Sequence, residues 1–383
     1  MKYNSRISSI AEYHFRKLDY IKNIFQEQGI KITDLSIGDP DLQVDKSILE
    51  ALVADFSNSG FNNYPPYEGM RDLKEAVIKY YRDRFLVDIN YDEVIILIGS
   101  KEGLNNIIPA SCGIGDYAII PSPAYPVYET CCKLWGVNTY KIELKEKDMY
   151  LPNLNSIPSK ILDKSNLMII NYPNNPTGAV GNADFFKEIV EFAYENNILV
   201  CNDGAYNEIL DVDVKPISIL QFDTEKKCIE IGSFSKIYNM TGFRIGYAVG
   251  NSRAISALLK VKSNVDSGQF KPIQKAAEAA LKLDIDYINR IRNIYSERKA
   301  AAEMLLDEHN IQYFNSAGTF YLWCKAPYGY SNIEFCEELL KEYGIVVTPG
   351  SIFDVDDSTH FRISLTRDKN EIINCFKSLK SYK

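Results

Sequence analysis

The sequence predicts an α/β protein, with a large, mostly parallel sheet covered by helices on both faces and a smaller α+β unit. Three observations carry this prediction. Short apolar, β-branched runs alternate with helical patterns from residue 94 to residue 249, as strands do when crossover helices bury both faces of a sheet. The last third changes character, to an aromatic run, a helix and two more apolar runs, the order of an α+β module. A chain of 383 residues exceeds one ordinary domain and can bury its core without disulfides or a structural metal.

The elements follow in order. Residues 8–28 read as a helix with Ile10, Tyr13, Leu18, Ile21 and Phe25 roughly on one side. Strands are expected at 94–98, 117–120, 167–170, 198–200, 228–231 and 246–249, with a helix at 183–196 between two of them. A long amphipathic helix covers 286–309, with Ile288, Ile291, Tyr295, Ala302 and Leu305 near helical spacing. After it come TFYLW from 319, a helix at 332–343, IVV at 345–347 and HFRISL at 360–365. The expected division is an N-terminal helix and arm over 1–40 that packs with the small domain, a large domain over 41–280 and a small domain over 281–383.

Composition narrows the function. Lys plus Arg number 43 and Asp plus Glu 51, a net charge of −8, which argues against a partner such as nucleic acid or an anionic membrane. Hydrophobic residues at 46% and charged residues at 25% are a globular mixture. Arg16 and Lys17 interrupt any signal-peptide core, and no run approaches a membrane span. The eight cysteines form no C-x-x-C pair, so neither a zinc site nor a secreted disulfide framework is expected, and the reading is a reduced, cytoplasmic protein. There are 26 Tyr but only three His, at 14, 309 and 360, which leaves little for His-based catalysis.

Ligand sites of open α/β sheets lie at the carboxyl ends of the strands. Gly99-Ser100-Lys101-Glu102-Gly103 follows the first strand and opens a helix, either an anion site made of free N–H groups or an ordinary turn. Pro121 to Pro126 follows the second and carries Tyr125, placed either for core packing or for stacking on a planar ring. Asn171-Tyr-Pro-Asn-Asn-Pro-Thr-Gly178 spends two prolines, three asparagines and a glycine on one turn, more than a plain turn needs. Asp203 ends an apolar strand, where it either pairs with a cation or caps a helix. Ser233-Phe-Ser235-Lys236, then Gly242-Phe-Arg244-Ile-Gly246, set two hydroxyls and an Arg beside one Lys, the makings of a phosphate cup around a Schiff-base former. Arg362 lies in an apolar strand, facing either solvent or a buried anion.

As an ordered set, these motifs resemble the class I, fold type I pyridoxal-phosphate aminotransferases, from Ile37-Gly38-Asp39-Pro40 to Arg362. The resemblance implies a seven-stranded sheet and pyridoxal 5'-phosphate as cofactor, held by Lys236 through its amine. The freed Lys236 would move a proton at the substrate Cα. Asp203 would keep the pyridine nitrogen protonated, Tyr125 would stack on the ring, and Asn175 and Tyr206 would hold its phenolic oxygen. The phosphate would fall to the backbone of Ser100 and Lys101, to Ser233, Ser235 and Arg244. Arg362 would clamp the substrate carboxylate, with Asn175 and backbone near Gly38. Tyr64-Pro-Pro-Tyr-Glu-Gly69 matches the stretch whose Tyr reaches the neighbouring subunit's phosphate, which implies a homodimer with shared sites. No metal is required.

Within the family, the chain is most similar to a branch of the LL-diaminopimelate aminotransferases, through Ile98–Gly103, Ile170–Val180, Tyr238–Arg244, Val261-Lys-Ser-Asn-Val-Asp-Ser-Gly268 and Val346–Gly350. The resemblance implies amino transfer between LL-diaminopimelate and 2-oxoglutarate. Aspartate, alanine or aromatic amino acids, and a C–S β-lyase reaction, are the alternatives. Two departures stand out. Gly204 follows Asp203 where a bulkier residue is usual. Asp354, Asp356 and Asp357 form an acidic segment before Arg362, expected at the site mouth, where it would repel a distal carboxylate or pair with a distal ammonium.

Overall fold

The computed structural model describes residues 4–8, 10, 22–25, 27 and 29–382. Twelve strands occur among them: β1 Thr33–Asp34, β2 Val94–Leu97, β3 Tyr117–Ser122, β4 Asn138–Glu143, β5 Ser165–Ile170, β6 Leu199–Asp203, β7 Cys228–Ser233, β8 Gly246–Gly250, β9 Tyr321–Lys325, β10 Ile345–Val346, β11 Thr348–Pro349 and β12 His360–Ser364. Of the helix expected over 8–28, residues 22–25 are helical, whereas Tyr13, Leu18 and Ile21 lie outside the described residues.

Seven strands make the main sheet, in the order β2-β8-β7-β6-β5-β3-β4. β8 runs antiparallel to both neighbours, and every other pairing is parallel. The expected α/β fold with a mostly parallel seven-stranded sheet is therefore what the chain forms. Alternate residues feed two cores. Ile95, Leu97, Leu167, Ile169, Ile229 and Ile231 pack on one face, while Val94, Ile96, Met168, Ile170 and Cys228 pack on the other. This two-sided burial is why the parallel strands read as unbroken apolar runs. β4 leaves no such signal in the sequence, for the converse reason. It is an edge strand whose NTYKIE segment buries only one residue fully, so it carries no apolar run.

Local chemistry sets the helix ends. Asn182 accepts from the Phe185 N–H at 2.8 Å and opens Ala183–Asn196, which Asn197 closes in the left-handed conformation. Ser331 and Glu334 form a reciprocal capping box at the start of Asn332–Tyr343, which ends on Gly344. Asp284 caps the long helix Ile285–Glu308.

β9, β11 and β12 form an antiparallel sheet of their own, and β1 pairs in parallel with β10. The segment after β1 threads alongside: Leu35 N–H donates to Val346 and the Leu35 carbonyl accepts from Ser364, and the Thr348 hydroxyl donates to the Ser36 carbonyl at 3.0 Å. This lacing delivers Ser36, Ile37 and Gly38 to the rim of the main sheet.

Candidate active site

Leu97, Ser122, Ile170, Asp203 and Ser233 end strands that run the same way, so the loops after them open on one edge of the sheet. β8 enters from that edge with Arg244 just before it. A cavity of about 300 Å³ lies there, between the main sheet and the β9–β12 sheet. Its walls include Gly38, Ser100, Lys101, Tyr125, Asn175, Asp203, Tyr206, Ser233, Ser235, Lys236, Arg244 and Arg362. These are all the site residues expected from the sequence except Tyr64, which is 82% exposed and outside the cavity.

Asp203 sits at the last position of β6 and is 4% exposed. A turn, not a helix, follows it, so it is no helix cap. The Tyr128 hydroxyl donates to its Oδ2 at 2.8 Å and the Ala205 N–H to its Oδ1 at 3.3 Å. Burial drives the carboxyl up to about 6, against the pull of those bonds and of Lys236. Lys236 Nζ donates to the Gly38 carbonyl at 2.6 Å. Burial pushes this amine down to about 8; Arg362 and Arg244 push the same way, Asp39 and Asp203 oppose. A lysine so shifted holds a neutral, nucleophilic amine near neutral pH far more than an exposed one does.

Arg362 is 2% exposed, so it faces the buried side of β12. Its Nη1 donates to Asn175 Oδ1 and its Nη2 to the Ser36 carbonyl, both at 2.6 Å. The guanidinium lies between the rings of Tyr321, at 4.0 Å, and Phe353, at 4.6 Å. Its Nε is buried with no hydrogen-bond partner among the described residues. Asn175 is itself held, its N–H donating to the Asn171 side chain at 2.7 Å, and Asn171 donates on to the Asp203 carbonyl at 2.7 Å. The rigid turn thus ties the ends of β5 and β6 to Arg362 in the middle of β12.

The helix Ser100–Ser111 opens at Gly99, whose φ of 78° only glycine adopts freely, and no side chain caps it. A Cβ at Gly99 would stand 2.7 Å from Arg244 Nη2, so the missing side chain lets the guanidinium lie over the helix start. That makes a cradle of helix N-terminus, arginine and the Ser233 and Ser235 hydroxyls, suited to a phosphate. The motif at 261–268 acts beneath it. Lys262, 1% exposed, pairs with Glu102 at 3.1 Å and Asp266 at 2.8 Å, and Glu102 also accepts from the Ile98 N–H, so the triad anchors the first turn of this helix.

The acidic segment does not stand at the site mouth. Phe353 lines the cavity, but Asp354, Asp356 and Asp357 do not. Asp357 turns away to accept from the Thr359 and His360 N–H groups at 2.8 and 3.0 Å and to pair with the His360 ring at 3.0 Å. Local turn chemistry claims the charge before the site can. The Gly204 departure also has a cause: a Cβ there would stand 2.6 Å from the Asn207 side-chain nitrogen, which bonds buried Glu230 at 3.1 Å. Sequence reading missed Tyr128, Tyr321 and Phe353. Tyr128 carried a faint signal, one helical turn after Tyr125; Tyr321 and Phe353 carried none.

The parts fit pyridoxal phosphate: a buried carboxylate and a buried guanidinium nitrogen that have no ion-pair or hydrogen-bonding cation and no acceptor, respectively, among the described residues, an amine poised to be neutral, and a phosphate cradle. Such a pocket defines an enzyme that works on an amine-bound phosphorylated cofactor. The comparisons agree. The family described as aminotransferase class I and II matches residues 30–379. The chain is 41% identical to the LL-diaminopimelate aminotransferase of Aquifex aeolicus, over 100% of this chain and 99% of the relative. It is 40% identical to that of Natranaerobius thermophilus, over 98% of each. The structure of apo-BacF from Bacillus subtilis superposes with a TM-score of 0.95 at 34% identity, covering 98% of this chain and 97% of that one. The chain belongs to the class I and II aminotransferases and is a pyridoxal-phosphate-dependent enzyme. No helix among the described residues is long and apolar enough to cross a membrane.

Proposed function

We propose that this aminotransferase moves an amino group between LL-diaminopimelate and 2-oxoglutarate, a step of lysine biosynthesis. The observation that carries the reading is the identity of 41% and 40%, over essentially whole chains, to proteins named for that substrate. The cofactor, when bound, supplies an electrophilic carbon and a ring that accepts electrons from the substrate Cα. Lys236 anchors it through Nζ and later moves the proton at the substrate Cα. Asp203 would balance a protonated ring nitrogen, Tyr125 would stack on the ring, and Asn175 and Tyr206 would hold the phenolic oxygen. The Ser100 and Lys101 backbone, Ser233, Ser235 and Arg244 would take the phosphate. Arg362 clamps the substrate α-carboxylate beside Asn175 and Gly38.

The enzyme works as a cytoplasmic homodimer with shared sites, Tyr64 reaching the partner's phosphate. Two features support this. Tyr64 stands 82% exposed, and near it in sequence Val53 and Phe56 are also exposed, with the Phe56, Phe61 and Phe270 rings clustered. The large domain spans 41–280 and the small one 281–383. The arm of residues 1–40 is assigned to the small domain, a reading supported by the β1–β10 pairing, although near its start Arg6 donates to the Leu134 carbonyl of the large domain at 3.0 Å.

A half-reaction panel tests the substrate. Holoenzyme is mixed with LL-diaminopimelate, aspartate, alanine, an aromatic amino acid or cystathionine, and the loss of the cofactor's visible absorbance is followed. LL-diaminopimelate should react fastest. Faster conversion by another amino acid, or pyruvate release from cystathionine without ketoacid-dependent transfer, overturns the assignment.

A further inference from the structure

Tyr321 is 3% exposed, lines the cavity and touches three parts of the site. Its hydroxyl lies 2.9 Å from that of Tyr206. Its ring carries the Arg362 guanidinium at 4.0 Å. Its hydroxyl also fills the space beside Gly38, where a Cβ would fall 1.7 Å from the oxygen. Gly38 is the residue whose carbonyl accepts from Lys236. The two hydroxyls bond only each other among the described residues. One of the two protons lies between them and the other remains to be used. Either hydroxyl can donate across this contact; the arrangement that leaves a proton on Tyr206 for the cavity is the one in which Tyr321, packed against the Gly38 backbone, donates to it.

We infer that Tyr321 is a positioning residue for amino transfer: its hydroxyl donates to Tyr206 and so turns the Tyr206 proton toward the cofactor's phenolic oxygen, while its ring steadies Arg362. The inference rests on the assignment of Tyr206 proposed above. A hydroxyl that donates to an oxygen stabilises that oxygen's anion. A hydroxyl that also accepts a bond is polarised and donates more strongly. Without the Tyr321 hydroxyl, the phenolic oxygen becomes more basic, and its proton is held to higher pH.

The test uses holoenzyme without substrate, its visible absorbance titrated against pH. Tyr321→Phe keeps the ring and removes only the hydroxyl. The absorbance midpoint should rise by about half a pH unit. Tyr206→Phe should raise it further, and the double variant should match Tyr206→Phe alone. In steady state, Tyr321→Phe should lower kcat severalfold and leave KM for the amino acid within about two-fold, whereas Tyr321→Leu, which also loses the ring, should raise KM as well. An unchanged midpoint in Tyr321→Phe beside a shifted one in Tyr206→Phe overturns the inference. An unchanged midpoint in Tyr206→Phe overturns the Tyr206 assignment, and this inference with it, a distinct result.

Discussion

Arg362 donates from Nη1 to the side-chain oxygen of Asn175 at 2.6 Å, joining β12 to the loop after β5 across 187 residues of sequence. With Nη2 on the Ser36 carbonyl and two rings against its faces, the guanidinium is held in place and its Nε is left over. Arg362→Ala should cost ~2–5 kcal/mol of substrate binding, read as a rise in KM for the amino acid of at least about thirty-fold. The cofactor's absorbance should survive. Unchanged kinetics would remove Arg362 from the site.

Lys236 sits near a pKa of about 8 because burial disfavours its charge. Only the neutral amine attacks a carbonyl carbon, and the neutral fraction grows as pH rises through that value. The rate at which cofactor-free protein takes up pyridoxal phosphate should therefore climb toward pH about 8 and level off above it. Stopped-flow absorbance measures this, with Lys236→Ala, which should give no band, as the control. A flat rate over the same range contradicts the assignment.

Asp203 behaves in the opposite sense. Burial raises its carboxyl to about 6, so it is charged above that pH and neutral below. A neutral carboxyl no longer balances a protonated ring nitrogen. Cofactor affinity, measured by equilibrium dialysis, should fall as pH drops through about 6, and Asp203→Asn should bind weakly at every pH. Equal affinity in the variant would contradict the role.

Lys262 makes a stability prediction away from the chemistry. Lys262→Met removes the cation between Glu102 and Asp266 and leaves two carboxylates facing each other. Breaking a buried pair from one side costs ~3 kcal/mol, so the urea midpoint should fall clearly. An unchanged midpoint would mean that water or local rearrangement satisfies both acids.

Tyr64 tests the shared site. Tyr64→Ala and Lys236→Ala proteins should each be impaired. Mixed protomers should recover activity, because one site of the hybrid then has its own Lys236 and the partner's intact tyrosine. No recovery after verified subunit exchange argues against sharing.

Much of this architecture is legible in sequence, and the parts that are not share a cause. The helices at 183–196 and 332–343 were readable to the residue because Asn182, Asn197, Ser331, Glu334 and Gly344 write their ends locally. The buried strands were readable from apolar runs, whereas β4, exposed along most of its length at the sheet edge, was not. Tyr321 and Tyr128 escaped notice because their partners lie 115 and 75 residues away. Asp357 is claimed by Thr359 and His360, two and three residues along the chain, a local turn that its acidic neighbours in sequence do not reveal.

What the sequence determined by itself, then, is the order of elements, the strand-end loops that carry chemistry and the family to which they belong. All of these depend on periodicity, capping and short motifs, which act over a few residues. The tertiary structure decided which side chains meet: that Arg362 turns inward to Asn175, that Tyr206 is backed by Tyr321, that Lys262 braces the helix after Gly99, and that the acidic residues leave the cavity to Phe353. Those contacts close loops of tens to hundreds of residues, and only tertiary packing, of sheet on sheet and helix on helix, brings them within bonding distance.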